Sequence, residues 1–477
     1  MHDTEGWKSL ETSMRTLQNI IEGIGTNLYQ FNLDKVLAVI EKAIAHLNRF
    51  VREISYFVIN AIFETSVGVQ DTEHWACFQA FCEKLVPLVS FGVSDNWSQV
   101  RYASSLCTRS FYLVVKHSPE IMDKYNPELV PKMCLNRYYV AEGVRVYSIE
   151  TWRLIFGEQG KHIVCKYADE VSKFYISQSQ ADNHAVREAA CHCISELCTK
   201  VAAESDSNKE SFRPHIDQLL SALVDCFKDE SWPVRDAACV ACGSFVGTFA
   251  EESKAKYEEL CEIWFAHLSD NIFSVRHHSA LALCTVYKLA PVYQEDLYKR
   301  FDAHLTANLM KAKEQKSTSE SFSNLKNETQ FGVAKGKAFE VDAEHQDKTM
   351  YSCGSLAPKL KRGGGCMDHG FTRAMEAWEM SDGSVYLIRE LSQIKQEPAA
   401  TQALKLVTKH LMSLADLGFV DHFKHAASLN ENLFKSLAII ISPEGIGKKK
   451  FRGFVELFLD PAFRNGKNNT QNCALSA

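Results

Sequence analysis

Two groups of soft ligands stand out in the chain. Cys191, His192 and Cys193 are consecutive with Cys198 close behind, and Cys239 and Cys242 form a Cys-x-x-Cys pair. A structural zinc ion needs four such ligands converging tetrahedrally, usually from loops or hairpins. Imidazoles pair at His277-His278 and at His422 and His425. Either pair can share one helix face, but neither has the glutamate of a His-Glu-x-x-His metalloprotease helix. The glycine-rich stretches RGGGC (362–366) and GIGKKK (445–450) do not match GxxxxGK[ST] or GxGxxG, whose backbone cradles phosphate. The sequence shows no nucleophile elbow, paired-carboxylate motif or calcium loop, so the reading is of a chain that is not an enzyme.

The elements that would hold these residues repeat along the chain. Val-Arg dipeptides place arginines at 52, 101, 145, 187, 235 and 276, spaced by 41 to 49 residues. Their surroundings recur as SDNWSQVRYASSLC, ADNHAVREAACHC, DESWPVRDAACVAC and SDNIFSVRHHSALALC. A period of that size indicates stacked supersecondary units. It also changes the meaning of the cysteines. Cys191 and Cys239 each lie four residues after their arginine, and the same position holds Ser105 and Ala280. That register asks for a small, mildly apolar side chain, which cysteine is. The thiols are therefore expected in the core, with no metal and no cofactor.

Each unit reads as two helices. In HIDQLLSALVDCF (215–227), Ile216, Leu219, Leu220, Leu223 and Phe227 share one helix face. The next residues, KDESWP, stop that helix and start another. Ser231 is expected to accept a free N–H of the following helix, with Asp229 and Glu230 suiting its positive end. Pro233 is tolerated in a first turn, where its missing N–H has no helical partner. Val234, Ala237, Ala238, Ala241, Cys242 and Phe245 are then expected inward. Their small side chains allow close helix approach, and units of this kind must stack to cover both sides.

With its Asp-x(4)-Val-Arg turn and small-residue helix, the pattern resembles the HEAT repeat of the armadillo-like helical superfamily, from about residue 30 to 292. The resemblance implies an all-α superhelix of helix pairs that serves as a binding scaffold. In that family the turn Asp and the helix Arg bond between adjacent repeats as an internal structural ladder. The matching positions are Asp95 with Arg101, Asp182 with Arg187, Asp229 with Arg235 and Asp270 with Arg276. The copies at Arg52 (LNRFVRE) and Arg145 (YVAEGVRV) lack the Asp, leaving Glu142 or a neighbour as partner for Arg145.

Composition narrows the class further. The 477 residues carry a net charge of −6, which argues against nucleic acid or an anionic membrane surface as the main partner. Apolar runs are broken by charge well short of a membrane span. The N-terminal stretch has no secretory pattern, so the 16 cysteines read as reduced thiols in a cytoplasmic chain with access to the nucleus open. Residues 1–305 are expected to form about six repeats. Residues 306–370, poor in aliphatic side chains, are expected to be a flexible polar insertion, within which Lys359, Lys361 and Arg362 make a weak basic patch. Degenerate repeats are expected over 371–465, with a turn at Ser381-Asp382-Gly383 and a displaced Arg389, then another turn and helix in SLNENLFKSLAIII with Lys435 near the usual arginine place. Lys448, Lys449, Lys450 and Arg452 form a basic knob, and 466–477 is expected to be a disordered tail.

The function expected is a non-enzymatic protein-binding scaffold or adaptor, with no nucleic acid bound and no membrane insertion. A stack of repeats offers a long concave face on which Glu188, Glu196, Asp236 and His277 are the candidate contact residues. The alternatives are a karyopherin-like nuclear transport receptor and a tubulin-binding TOG-like array. The second is suggested by Trp97 and Trp232 in the intra-repeat turns and opposed by the acids beside them.

Overall fold

The helix-period stripes fold as helices, and their apolar faces are the core. In the computed structural model, Ile216, Leu219, Leu220, Leu223 and Phe227 are each at most 3% exposed, and the six inward positions from Val234 to Phe245 are buried. The structure describes residues 6–31, 33–316, 375–420 and 422–440; among these there is no strand. The expected tail and basic knob lie outside the described residues, as does the insertion from 317 onward, including the 359–362 patch.

The described residues fall into two units, 6–222 and 223–440. The first holds α1 (Trp7–Ile24), α2 (Asp34–Ile44), α3 (Arg49–Thr65), α4 (Trp75–Gly92), α5 (Ser98–Val115), α6 (Pro119–Asn136), α7 (Glu142–Ile155), α8 (Gly160–Lys166), α9 (Ala168–Gln178), α10 (His184–Glu196) and α11 (Asp206–Phe212). Helix α12 (Ile216–Phe227) bridges the division. The second unit continues with α13 (Trp232–Thr248), α14 (Lys254–His267), α15 (Phe273–Leu289), α16 (Gln294–Asn308), α17 (Ala377–Ser392), α18 (Ala399–Leu417) and α19 (Ala426–Ile440). Second helices of successive pairs pack on one another: α1, α3, α5 and α7 in the first unit, α13, α15, α17 and α19 in the second. Each unit is thus a stack of HEAT-type helix pairs, all α.

Close approach in these layers depends on small residues. A Cβ added to Gly243 of α13 would lie 2.8 Å from the Cα of Ala282 on α15. At Gly383 of α17 the Leu268 carbonyl oxygen occupies the place of a side chain.

Three expectations need correction. Ser381-Asp382-Gly383 is not a turn but the buried middle of α17, whose start is closed by a Glu376–Glu379 capping box. Ordered structure also runs past 306: α16 continues to Asn308, and a 3₁₀ turn spans Lys311–Glu314. Within it Ala312 is fully buried and its N–H donates to Ser381 Oγ at 2.8 Å. Helix α17 therefore packs on α15 as the partner of α16. Last, SLNENLFKSLAII holds no turn, because α19 begins at Ala426 and buries Asn430 and Asn432.

Gly383→Ala must displace backbone, so it is predicted to lower stability by about 1–3 kcal/mol or more. Gly143, in the first turn of α7, has nothing within 4 Å of its would-be Cβ, so Gly143→Ala should leave stability unchanged or raise it by up to about 0.5 kcal/mol. Urea unfolding midpoints of the two variants check the contrast.

Candidate functional site

The turn acids come first, because the backbone around them depends on their side chains. Asp95 Oδ1 accepts from Trp97 N at 2.8 Å, Asp229 Oδ1 from Ser231 N at 2.8 Å, and Asp270 Oδ1 from Ile272 N at 2.9 Å. Each carboxylate closes its own turn by mimicking a backbone acceptor. Ser231, expected to cap, occupies the N-cap position of α13 without a side-chain cap bond. In the Asp182 copy the capping amide is Asn183, whose Oδ1 accepts from Ala185 N at 3.0 Å.

The arginines then tie turns together. Each donates to carbonyls of its own turn: Arg101 to Asp95 O, Arg187 to Ala181 O and Asp182 O, Arg235 to Asp229 O and Glu230 O, and Arg276 to Asp270 O. Where such an arginine reaches a turn carboxylate, that carboxylate belongs to the following repeat. Arg52 holds Asp95 with two bonds, 3.0 and 3.2 Å, and Arg235 lies 3.6 Å from Asp270. Asp95 with Arg101 and Asp270 with Arg276 are thus joined through the Asp carbonyl, not the carboxylate.

Two partners replace the acid where it is missing. Arg101, 1% exposed, donates to Asn136 Oδ1 at 2.7 Å and lies 4.1 Å from the Tyr139 ring. Burial depresses its pKa, since no carboxylate bonds it directly. Arg276, 2% exposed, meets Asp382 of α17 at 2.7 and 2.8 Å, with Glu379 at 3.7 Å. Asn432 of α19 donates to the same Asp382 carboxylate at 2.7 Å, carrying the contact one helix further. The Arg145 side chain, by contrast, has no ion pair or hydrogen bond among the described residues, with Glu142 or otherwise, although its backbone N–H donates to Ala141 O at 3.0 Å. Arg389 approaches Glu390 at 3.4 Å, and Lys435 pairs with Glu431 on the exposed side of its own helix.

Sequence reading missed Asn136, Asp382 and Arg137. Arg137 directly follows α6, where it pairs with Glu196 at 2.6 Å and lies 4.6 Å from the Trp152 ring. The four candidate contact residues are themselves engaged. Glu188, Glu196, Asp236 and His277 have side chains 14 to 27% exposed. Glu196 meets Arg137, Asp236 meets His278 at 2.5 Å, and His277 meets Glu390 at 3.1 Å while stacking on Tyr386. They brace neighbouring helices more than they face solvent.

Chemical clusters do not converge. Among the described residues no group of three His, Cys, Asp or Glu side chains could hold a metal ion. Cys191, Cys193, Cys198, Cys239 and Cys242 are buried in helical core, and burial pushes the Cys239 thiol well above its usual value. His422 contacts the Gln315 carbonyl, while His425 stacks on Trp378. No described helix is long and apolar enough to cross a membrane.

The His278–Asp236 pair carries a pH dependence. Burial alone would depress the imidazole, but the Asp236 hydrogen bond and charge, with Glu390 behind, outweigh it and raise the pKa. The pair's contribution to stability is full below the unfolded value of about 6.5. It is lost as pH rises through the higher folded value. The unfolding-midpoint difference between the natural chain and His278→Gln should therefore shrink from pH 5.5 to 8.5; a constant difference contradicts the pairing.

Comparison with known proteins places one repeat directly: the HEAT repeat family model matches residues 219–249. No curated protein matches the sequence. Yeast importin-β (Kap95p) is similar in structure, with a TM-score of 0.44 at 13% identity over 95% of this chain and 47% of that one. The karyopherin Kap121p bound to the SUMO protease Ulp1p gives 0.44 at 11% identity, covering 98% of this chain and 39% of the other. An engineered protein gives 0.35 at 10% identity, covering 98% and 93%. The chain spans about half the length of yeast importin-β.

Proposed function

We propose that this chain is a non-enzymatic protein-binding scaffold acting in the cytoplasm, and that its first unit binds through the second-helix layer. The observation that carries the reading is an exposed stripe on α7. Val146, Glu150 and Leu154 follow one another at four-residue spacing, with Val146 45% and Leu154 59% exposed. Beside the stripe Tyr147 is held rigidly. Arg109 of α5 lies 3.5 Å from its ring centroid, and Tyr102 packs edge-on at 5.4 Å. Arg109 is in turn fixed by Thr151 Oγ1 at 2.8 Å and the Tyr147 carbonyl at 2.9 Å. Preordered tyrosine and arginine next to exposed aliphatic side chains is the composition of a protein interface centre. Little ordering entropy remains to be lost there on binding.

Affinity purification of the tagged chain followed by mass spectrometry should return a defined protein partner. Val146→Asp with Leu154→Asp should release it, by about tenfold or more in affinity, while the unfolding midpoint stays put. Retention of every partner by that double variant contradicts the assignment of this face. A partner that proves to be a Ran-type GTPase loaded with guanine nucleotide would instead make the chain a transport receptor.

A further inference from the structure

The turn side of the first unit carries a second surface. A cleft of about 540 Å³ opens between the α2–α3 turn and the α4–α5 turn, lined by Ile44, Leu47, Phe91 and Trp97, with the Arg52–Asp95 pair in its wall. Leu47 is 77% and Phe91 63% exposed. A cavity of this size accepts one or two bulky side chains. Two exposed apolar groups at its mouth gain from being covered.

Charge decides what covers them. The Asp95 carboxylate is occupied by the Arg52 guanidinium and by Trp97 N, so the turn acid presents little negative field. Lys132, also in the lining, donates to the Ser90 carbonyl at 2.9 Å and lies 3.6 Å from Glu128. Arg49 differs from both. It lies 4.3 Å from the Trp97 ring and 4.8 Å from the Phe50 ring, and among the described residues no carboxylate is within ion-pair distance of it. Phe50 is backed by Trp7 in a 5.1 Å stack, which holds the rim in place. The cleft is therefore an apolar socket with one positioned guanidinium at its edge, which no carboxylate among the described residues bonds directly and which only Glu53, one turn further along α3, offsets through its charge. A second copy docking by a two-fold axis through this site would set Arg49 against Arg49. Nucleic acid would need several cations rather than one.

We infer that this cleft receives a short acidic segment of a partner protein, whose bulky apolar side chain covers Leu47 and Phe91 while a neighbouring carboxylate pairs with Arg49. The inference rests on the reading of the chain as a protein-binding scaffold, but uses a surface distinct from the α7 stripe. An arginine held over an aromatic ring keeps the donors of its guanidinium plane free for a carboxylate, which can accept two of them.

The probe is a fluorescein-labelled peptide, Asp-Glu-Phe-Asp-Leu-Glu, titrated with the full chain and read by fluorescence anisotropy. Saturable binding is expected, weakened by salt and absent for the peptide with lysine in place of each acid. Leu47→Asp and Arg49→Glu should each weaken it about tenfold or more, with circular dichroism melts confirming that both variants fold. Val146→Asp with Leu154→Asp should bind the peptide as the natural chain does. Equal binding of the acidic and basic peptides overturns the inference, as does unchanged binding by Leu47→Asp and Arg49→Glu. So does a concentration-dependent dimer in light scattering that Leu47→Asp dissolves. If those two variants bind the peptide unchanged while the α7 variants still release a partner, this cleft falls and the scaffold reading stands.

Discussion

A guanidinium that bonds its own turn and the acceptor of the next repeat is the contact on which the stack depends. Helix pairs are amphipathic on two sides, so burial alone drives them together without fixing their register. Arg52 shows how register is set: it donates to the His46 and Leu47 carbonyls of its own turn and grips Asp95 of the next with two bonds. Arg276 does the same from Asp270 O to Asp382. Because the guanidinium is planar with fixed donors, it sets direction as well as distance. The turn acid cannot drift either, since it is also folding its own backbone.

Burial makes these contacts strict. Arg101 and Arg276 are almost wholly removed from water, and an ion left unpaired there costs several kcal/mol. That explains why the acceptor can change chemistry while its position is kept. Asn136 serves Arg101 with a neutral amide and Tyr139 with a ring face. Asp382 serves Arg276 from inside a helix rather than from a turn. The chemistry that first suggested metal or catalysis belongs to the same economy of space: cysteines fill the small positions between second helices, and paired histidines brace α13, α15 and α17.

The fold was legible because its signals are local and repeated. The Val-Arg dipeptides, the turn acids and the small residues four positions on identify the helix pair and its inward face. The partners were less legible, for a physical reason. Ser381-Asp382-Gly383 has the composition of a turn, yet the same small and polar residues suit a helix interior that must hydrogen-bond Ala312, bind Arg276 and let Leu268 approach. Local chemistry does not separate the two. Asn136 ends α6 and Arg137 follows it, nine and eight residues before Arg145, with no periodic signal to mark them. Glu196, Asp236 and His277 read as surface because their partners come from other repeats. The exposed sites, Leu47, Phe91 and the α7 stripe, depend on which side of a helix its neighbours leave open, and that is a property of the packing.

The central claim is that the arginine of one repeat and the turn acid of the next act as a single unit. A double-mutant cycle on Arg52 and Asp95, read by urea unfolding, tests it most directly. The account predicts that Arg52→Ala and Asp95→Ala are each destabilising. The double variant should cost less than their sum, with a coupling of about 1 kcal/mol or more. Additive effects would contradict it, because the two side chains would then be stabilising their own turns independently.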